Sequence, residues 1–196
     1  DELTIDGITY RIAEHPAAPG IPYGQEGRAG IVYCLEPSPL PPGEGTGVRV
    51  ALKVFKPRFR LPFLVSQAEK LAAFADLPGL RAAQRTVLTP SRHQDLLRRE
   101  PDLTYAVLMP WIEGPTWFDV LTSAKPLSPE TSLSLARSLA QTLMRMEEQG
   151  LAHCDLSAPN VLLPGLATRT MDDGVQTVSG PSSPVELVDL EGLYAP

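Results

Sequence analysis

The hydrophobic pattern changes its period near residue 112, and that change limits what this chain can fold into. Before it, apolar residues come in short runs broken by Pro and Gly, as strands and turns require. Ile8–Ile12 alternates weakly, residues 30–35 form an apolar run after a Gly-rich turn, and residues 48–55 (VRVALKVF) alternate well. In that last run Val48, Val50, Leu52 and Val54 share one strand face, while Lys53 and Phe55 share the other. One helix interrupts the series. Over 61–75, Leu64, Ala68, Leu71, Ala72 and Ala75 recur at spacings of three and four, bounded by Pro57, Pro62 and Pro78. Residues 86–88 read as a short strand, 91–102 as a charged connection and 103–109 as a buried strand.

After Gly114 the period is helical. Trp117–Thr122 reads as a short helix. Ser128, Pro129 and Glu130 supply an N-cap, a proline at the first helical position and an acid in the first turn. Leu135, Leu139 and Leu143, with Ala136, Ala140 and Met144, then form one apolar stripe, and Gly150 ends the helix. Two short apolar runs follow, 161–163 and 185–190. The stretch between them, 164–184, reads as a mobile loop, and 38–47 (SPLPPGEGTG) as a flexible hairpin connection. The expected class is α+β in two parts. Residues 1–112 are mostly β with one helix, and residues 113–196 begin a mostly helical part.

Composition removes several function classes. Hydrophobic residues are 43% and charged residues 20%, ordinary for a globular chain, so disorder over the whole length is excluded. The 21 prolines and 15 glycines belong to the turns and loops already read. The net charge is −6 and no block of Lys and Arg occurs, which excludes a nucleic-acid role for this region. The most apolar stretch, 105–112, is short and contains a proline, so no membrane segment or signal peptide fits. Cys34 and Cys154 lie far apart and make no metal spacing with His, so they read as free thiols of a reducing cytosol. A cytoplasmic location is expected.

Chemistry concentrates in 153–163, HCDLSAPNVLL, and in 185–192, VELVDLEG. Asp155 can accept a proton from an attacking hydroxyl, and Asn160 can turn toward a cation. Taken alone, the two read equally well as a turn whose side chains bond their own backbone. Asp189 ends an apolar run, and a hard cation held between phosphates needs such a carboxylate oxygen. Lys53 alone reads as a solvated side chain. The pair Gly27 and Gly30 alone reads as a plain hairpin.

Together these residues resemble the protein-kinase superfamily. HCDLSAPN is similar to H-R-D-L-x-x-x-x-N, VDLEG to the strand ending in D-F-G, and VALKVF to V-A-I-K. QEGRAGIVY is similar to G-x-G-x-x-G-x-V, and YAVLMPWIEG to the fifth strand and interlobe hinge. The five segments occur in the family's order. The resemblance covers about residues 8–196, and its flavour is a divergent, bacterial, eukaryotic-like Ser/Thr protein kinase.

That resemblance implies a bilobal fold, with an antiparallel β N-lobe and hinge over 1–112 and the start of a helical C-lobe over 113–196. It implies ATP and Mg²⁺ as cofactors and phosphoryl transfer to a protein Ser or Thr hydroxyl. Asp155 would orient the hydroxyl, and Asn160 and Asp189 would hold the metal. Lys53 would bind phosphates and pair with Glu69. Gly27, Gly30, Val32 and Ala51 would line the nucleotide, Met109 would stand behind adenine, and Pro110 and Ile112 would hold it at the hinge. Pro110 lacks an N–H, but its carbonyl remains.

Four departures qualify the match. Gln25 stands at the first glycine of the loop, Cys154 at the Arg of H-R-D, and Ser157 at the Lys that stabilises charge on the transferred group. Glu191 stands in D-L-E-G, which looks more like small-molecule phosphotransferases. Two alternatives follow: a nucleotide-binding pseudokinase acting as a regulatory or scaffold module, and a small-molecule kinase. The chain stops soon after Gly192, so it reads as a kinase-like domain cut short within a longer protein.

Overall fold

In the computed structural model, residues 2–38, 48–123, 126–167, 177–178 and 185–194 are described. Most of the connection expected at 38–47 and most of the loop expected at 164–184 lie outside them. The chain divides into two units: Asp1–Ala72 with Gln84–Trp111, and Ala73–Ala83 with Ile112–Pro196.

The first unit is built on strands. They are β1 (Glu2–Ile5), β2 (Ile8–Ile12), β3 (Glu14–His15), β4 (Ala18–Pro22), β5 (Gly24–Glu26), β6 (Gly30–Pro37) and β7 (Val50–Phe55). Helix α1 (Phe63–Ala72), β8 (Thr86–Val87), helix α2 (Gln94–Arg99) and β9 (Val107–Pro110) complete it. Seven strands form one antiparallel sheet in the order β1-β2-β6-β7-β9-β8, with β5 also on β6, while β3 and β4 make a separate hairpin. The β1–β2 turn is Asp6-Gly7, both left-handed at φ 50° and 83°, as a tight two-residue hairpin requires.

Alternation on β7 gives this sheet two buried faces. Leu52 packs on one side with Ile5, Tyr10, Leu35 and Leu88. Phe55 packs on the other with Leu64 and Ala68 of α1, Val87 and Val107. The 91–102 segment, expected as a charged connection, contains α2. Leu96 and Leu97 are buried in the first cluster while Arg98 and Arg99 stay in solvent. Six residues give too little periodicity for a helix to be read, and charged neighbours mask the leucine pair. Among its described residues the first unit therefore has two α-helices, not the one expected. The 103–109 segment is also shorter as strand than expected, because Pro101–Leu103 forms a 3₁₀ turn before β9.

The second unit contains α3 (Trp117–Thr122), α4 (Pro129–Glu148), β10 (Val161–Leu162), β11 (Leu166–Ala167), β12 (Thr177–Val178) and β13 (Glu186–Leu187). Thr116 and Asp119 cap α3 reciprocally: the Asp119 N–H donates to Thr116 Oγ1 at 3.0 Å, and the Thr116 N–H donates to Asp119 Oδ2 at 2.8 Å. Ser128 caps α4, its Oγ accepting from the Thr131 N–H at 3.1 Å. Gly150 at φ 72° ends it.

The buried face of α4 is Thr131, Leu135, Ser138, Thr142 and Met146. The expected stripe holds only in part: Leu135 is buried, Leu139 and Leu143 are half-buried, and Ala136, Ala140 and Met144 are exposed. The cause is the turn at Gly79 (φ 88°), where an added Cβ would stand 2.6 Å from Thr142 Cγ2 and Oγ1. Backbone approaching that closely favours small, hydrogen-bonding residues over leucine on this side of α4. Among the described residues no helix is long and apolar enough to cross a membrane.

Candidate active site

In the first unit, register gathers most of the expected nucleotide residues on one sheet face. On β7, Ala51 pairs with Cys34 of β6 and Met109 of β9, and Lys53 pairs with Val32 and Val107. Phe55 pairs with Gly30. With a side-chain period of two, Gly30, Val32, Ala51, Lys53 and Met109 share a face. Lys53 is only 6% exposed, uncommon for a lysine, and its Nζ lies 5.3 Å from the Phe55 ring centroid. Met109 is buried, with Arg85 Nη2 at 4.0 Å from its Sδ. Pro110 ends β9 opposite Val50, and the Trp111 N–H donates to Arg49 O at 3.2 Å. Glu69 does not join this group. It lies exposed on α1 and makes no ion pair among the described residues.

The glycine loop is the β5–β6 turn, closed by the Gly27 N–H donating to Gly30 O at 2.8 Å. Its two glycines have different causes. A Cβ on Gly30 would fall well inside contact distance of Val54 O on β7, so close strand approach excludes any side chain there. A Cβ on Gly27 would meet nothing nearer than Gly30 O at 3.8 Å. Glu26 on the flank is paired with Lys56 Nζ at 2.7 Å, and that hydrogen bond, then the lysine charge, holds its carboxyl below the usual glutamate range.

In the second unit, the expected catalytic residues are tied to one another. His153 is buried, and the Asp155 N–H donates to its Nδ1 at 3.4 Å. The proton therefore sits on Nε2, which donates to Val188 O at 3.0 Å. The Val188 N–H donates to Asn160 O at 3.0 Å. Both backbone groups of Val188 are thus held by the 153–160 loop, and Asp189 comes next in the chain. Asn160 Nδ2 donates to Asp155 O at 2.9 Å and faces Asp155 Oδ2 at 3.4 Å. Strands β10 and β13 pair beneath this loop, Val161 with Leu187 and Leu162 with Glu186.

Cys154 and Asp189 are non-glycine residues at φ 63° and 60°. Such backbone costs about 1–3 kcal/mol per residue and gathers at functional sites. The donor chemistry fits a hard cation. Asn160 spends its Nδ2 on Asp155, which leaves the amide oxygen to accept, and Asp189 adds a carboxylate. Among the described residues no three His, Cys, Asp or Glu side chains converge as a metal set.

Sequence reasoning missed Glu186. It is 2% exposed, and its Oε1 and Oε2 accept from Arg81 Nε at 2.7 Å and the Arg81 N–H at 3.1 Å. The Leu187 N–H also donates to Gly79 O at 2.8 Å. Segment 79–81 thus staples the strand that leads to Asp189. The one available signal was a glutamate inside an apolar run; nothing nearby in sequence named its partner.

The antiparallel sheet with its buried strand lysine, and the loop that ties His153, Asp155 and Asn160 to Val188, resemble a kinase-like arrangement, and the sequence is similar to two Ser/Thr protein kinases. It is 31% identical over 122 residues to the serine/threonine-protein kinase PkaA of Streptomyces coelicolor, covering 60% of this chain and 20% of that protein. It is 31% identical over 81 residues to the serine/threonine-protein kinase pkn2 of Myxococcus xanthus, covering 39% of this chain and 10% of that protein. The matched part is thus about a fifth or less of these relatives' length. No family model matches.

Proposed function

We propose that this chain carries an ATP-dependent, Mg²⁺-assisted phosphotransferase centre that acts on protein Ser or Thr hydroxyls. The observation that carries the reading is the bonded set Asp155–Asn160–Val188, with Asp189 next in the chain. Residues 1–112 are read as the N-lobe and hinge, and 113–196 as the catalytic part. Lys53 and the backbone N–H groups of the Gly27–Gly30 turn bind phosphate oxygens, and Val32, Ala51, Met109, Pro110 and Ile112 take the adenine end. Asn160 Oδ1 and Asp189 hold the cation, which when bound neutralises charge on the phosphates. Asp155 orients the acceptor hydroxyl and takes its proton as the new O–P bond forms and ADP leaves. Glu69 serves in this reading as the countercharge to Lys53.

The names of the two relatives support protein Ser/Thr substrates. A binding module without turnover is the second reading, favoured by Cys154 and Ser157 in the loop. Two measurements on the same preparation separate them. A thermal shift with Mg²⁺-ATP reads binding, and γ-phosphate transfer to generic protein substrates and small hydroxyl acceptors reads chemistry. Binding with transfer to protein supports the proposal. Binding alone supports the module, transfer only to small acceptors redirects the substrate class, and no binding removes the reading.

A further inference from the structure

Strand β13 and the residue after it are held along both edges just before Asp189. Successive residues of a strand turn their backbone groups to opposite edges. On one edge the Val188 N–H donates to Asn160 O at 3.0 Å, and Val188 O accepts from His153 Nε2 at 3.0 Å. On the other edge the partner is the 79–81 turn rather than a strand, and the Leu187 N–H donates to Gly79 O at 2.8 Å. The Glu186 side chain reinforces that second edge. Its Oε1 accepts from Arg81 Nε at 2.7 Å and its Oε2 from the Arg81 N–H at 3.1 Å. The turn is itself seated on α4, where a Cβ on Gly79 would stand 2.6 Å from Thr142 Cγ2.

Stability alone does not account for a glutamate at this place. Its neighbours Val185, Leu187, Leu80, Ala82 and Ala83 are apolar and at most 1% exposed. In such surroundings an apolar pair often holds a fold as well as a buried ion pair, because the charges give up their hydration. What the carboxylate adds is direction. Two oxygens accepting two N–H groups of one residue fix β13 along its axis as well as across it. Direction matters at the next step of the chain. Asp189 is a non-glycine residue at φ 60°, a conformation that persists only where its surroundings hold it. After it, buried Leu190 and the turn Leu190–Gly192 hold the chain. Before it, the two edges of 186–188 do so.

We propose that Arg81 and Glu186 are positioning residues of the metal centre, setting through β13 where the Asp189 carboxylate meets the cation. The inference rests on the reading of Asp189 and Asn160 as the ligands of that cation. The test titrates Mn²⁺, a paramagnetic stand-in for Mg²⁺, into the full chain with ADP and follows it by electron paramagnetic resonance. The double variant Arg81→Met/Glu186→Leu removes both charges together, so its Tm should stay close to the parent's. Its Mn²⁺ affinity should nevertheless fall about tenfold, while ADP affinity measured without metal is unchanged. Its rate of phosphate transfer should fall as well, because small misplacements in a reacting centre are costly. Glu186→Gln keeps the side-chain shape but accepts only one of the two N–H groups, and should weaken Mn²⁺ several-fold. It carries the test if the double variant does not fold. Parent-like Mn²⁺ affinity in either folded variant would overturn the proposal and leave the metal reading standing. A parent chain that takes up no Mn²⁺ beyond what ADP alone binds would overturn the metal reading itself, and this proposal with it.

Discussion

Substitutions at glycines 27 and 30 should separate folding from nucleotide binding. Gly30→Ala drives a methyl into the carbonyl of Val54 and within 2.9 Å of Phe55 Cα, both backbone, so β6 or β7 must shift. Overpacking of this kind costs about 1–3 kcal/mol, and for a chain of this size each kcal/mol lowers Tm by about 2–4 °C. Gly27→Ala meets nothing closer than 3.8 Å, and Gly27 is not among the left-handed residues, so its stability should change by no more than about 0.5 kcal/mol. If the Gly27 backbone approaches phosphate, the added methyl should still weaken Mg²⁺-ATP binding about five- to tenfold, roughly 1 kcal/mol or slightly more. Scanning fluorimetry of the two variants reads the first effect and calorimetric titration with Mg²⁺-ATP the second. Gly27→Ala with unchanged nucleotide affinity would make it a plain hairpin residue. Gly30→Ala with an unchanged Tm would refute the close strand approach.

Three further outcomes follow from the described contacts. Glu186→Ala leaves the Arg81 N–H and guanidinium without their acceptor, and urea unfolding should show a loss of about 1–3 kcal/mol, discounted because Arg81 is half exposed. His153→Ala frees Val188 O at the step before Asp189, so phosphate transfer should fall more than thermal stability does, read by comparing initial rates with Tm. The Tyr10 hydroxyl titrates above its ordinary value of 10.0, because burial disfavours the phenolate and Asp6 repels it. Stability tied to Tyr10 is therefore full below pH 10.0 and is lost as pH rises through the higher folded value, and Tyr10→Phe should flatten that alkaline slope in pH-dependent denaturation.

How much of this was legible in the sequence depended on the range of the interaction. The α4 start was readable because Ser128, Pro129 and Glu130 act within one turn of the helix they begin. Trp117–Thr122 was also expected as a short helix, and the structure shows that Thr116 and Asp119 cap it. The β7 alternation predicted which residues accompany Lys53, and the sheet register then aligned them with Gly30, Val32 and Met109. What failed was non-local. The buried side of α4 is set by Gly79, far back in the chain, and its closeness to Thr142 rotates the expected stripe. Helix α2 hides behind its charges, and Glu186 looks like a stray acid until Arg81 is beside it. The motif residues Asp155 and Asn160 were legible as a pair, but not that His153 and Asn160 together grip Val188.

In the proposed reaction Asp155 handles the acceptor proton and does not itself hold the nucleotide. The most direct measurement is initial-rate transfer of the γ-phosphate from Mg²⁺-ATP to a protein acceptor, run for the parent chain and for Asp155→Asn with nucleotide affinity measured on each. The expected result is a rate loss of about 10²–10⁴-fold for Asp155→Asn, with the affinity for Mg²⁺-ATP unchanged. Transfer at the parent rate by Asp155→Asn would contradict it.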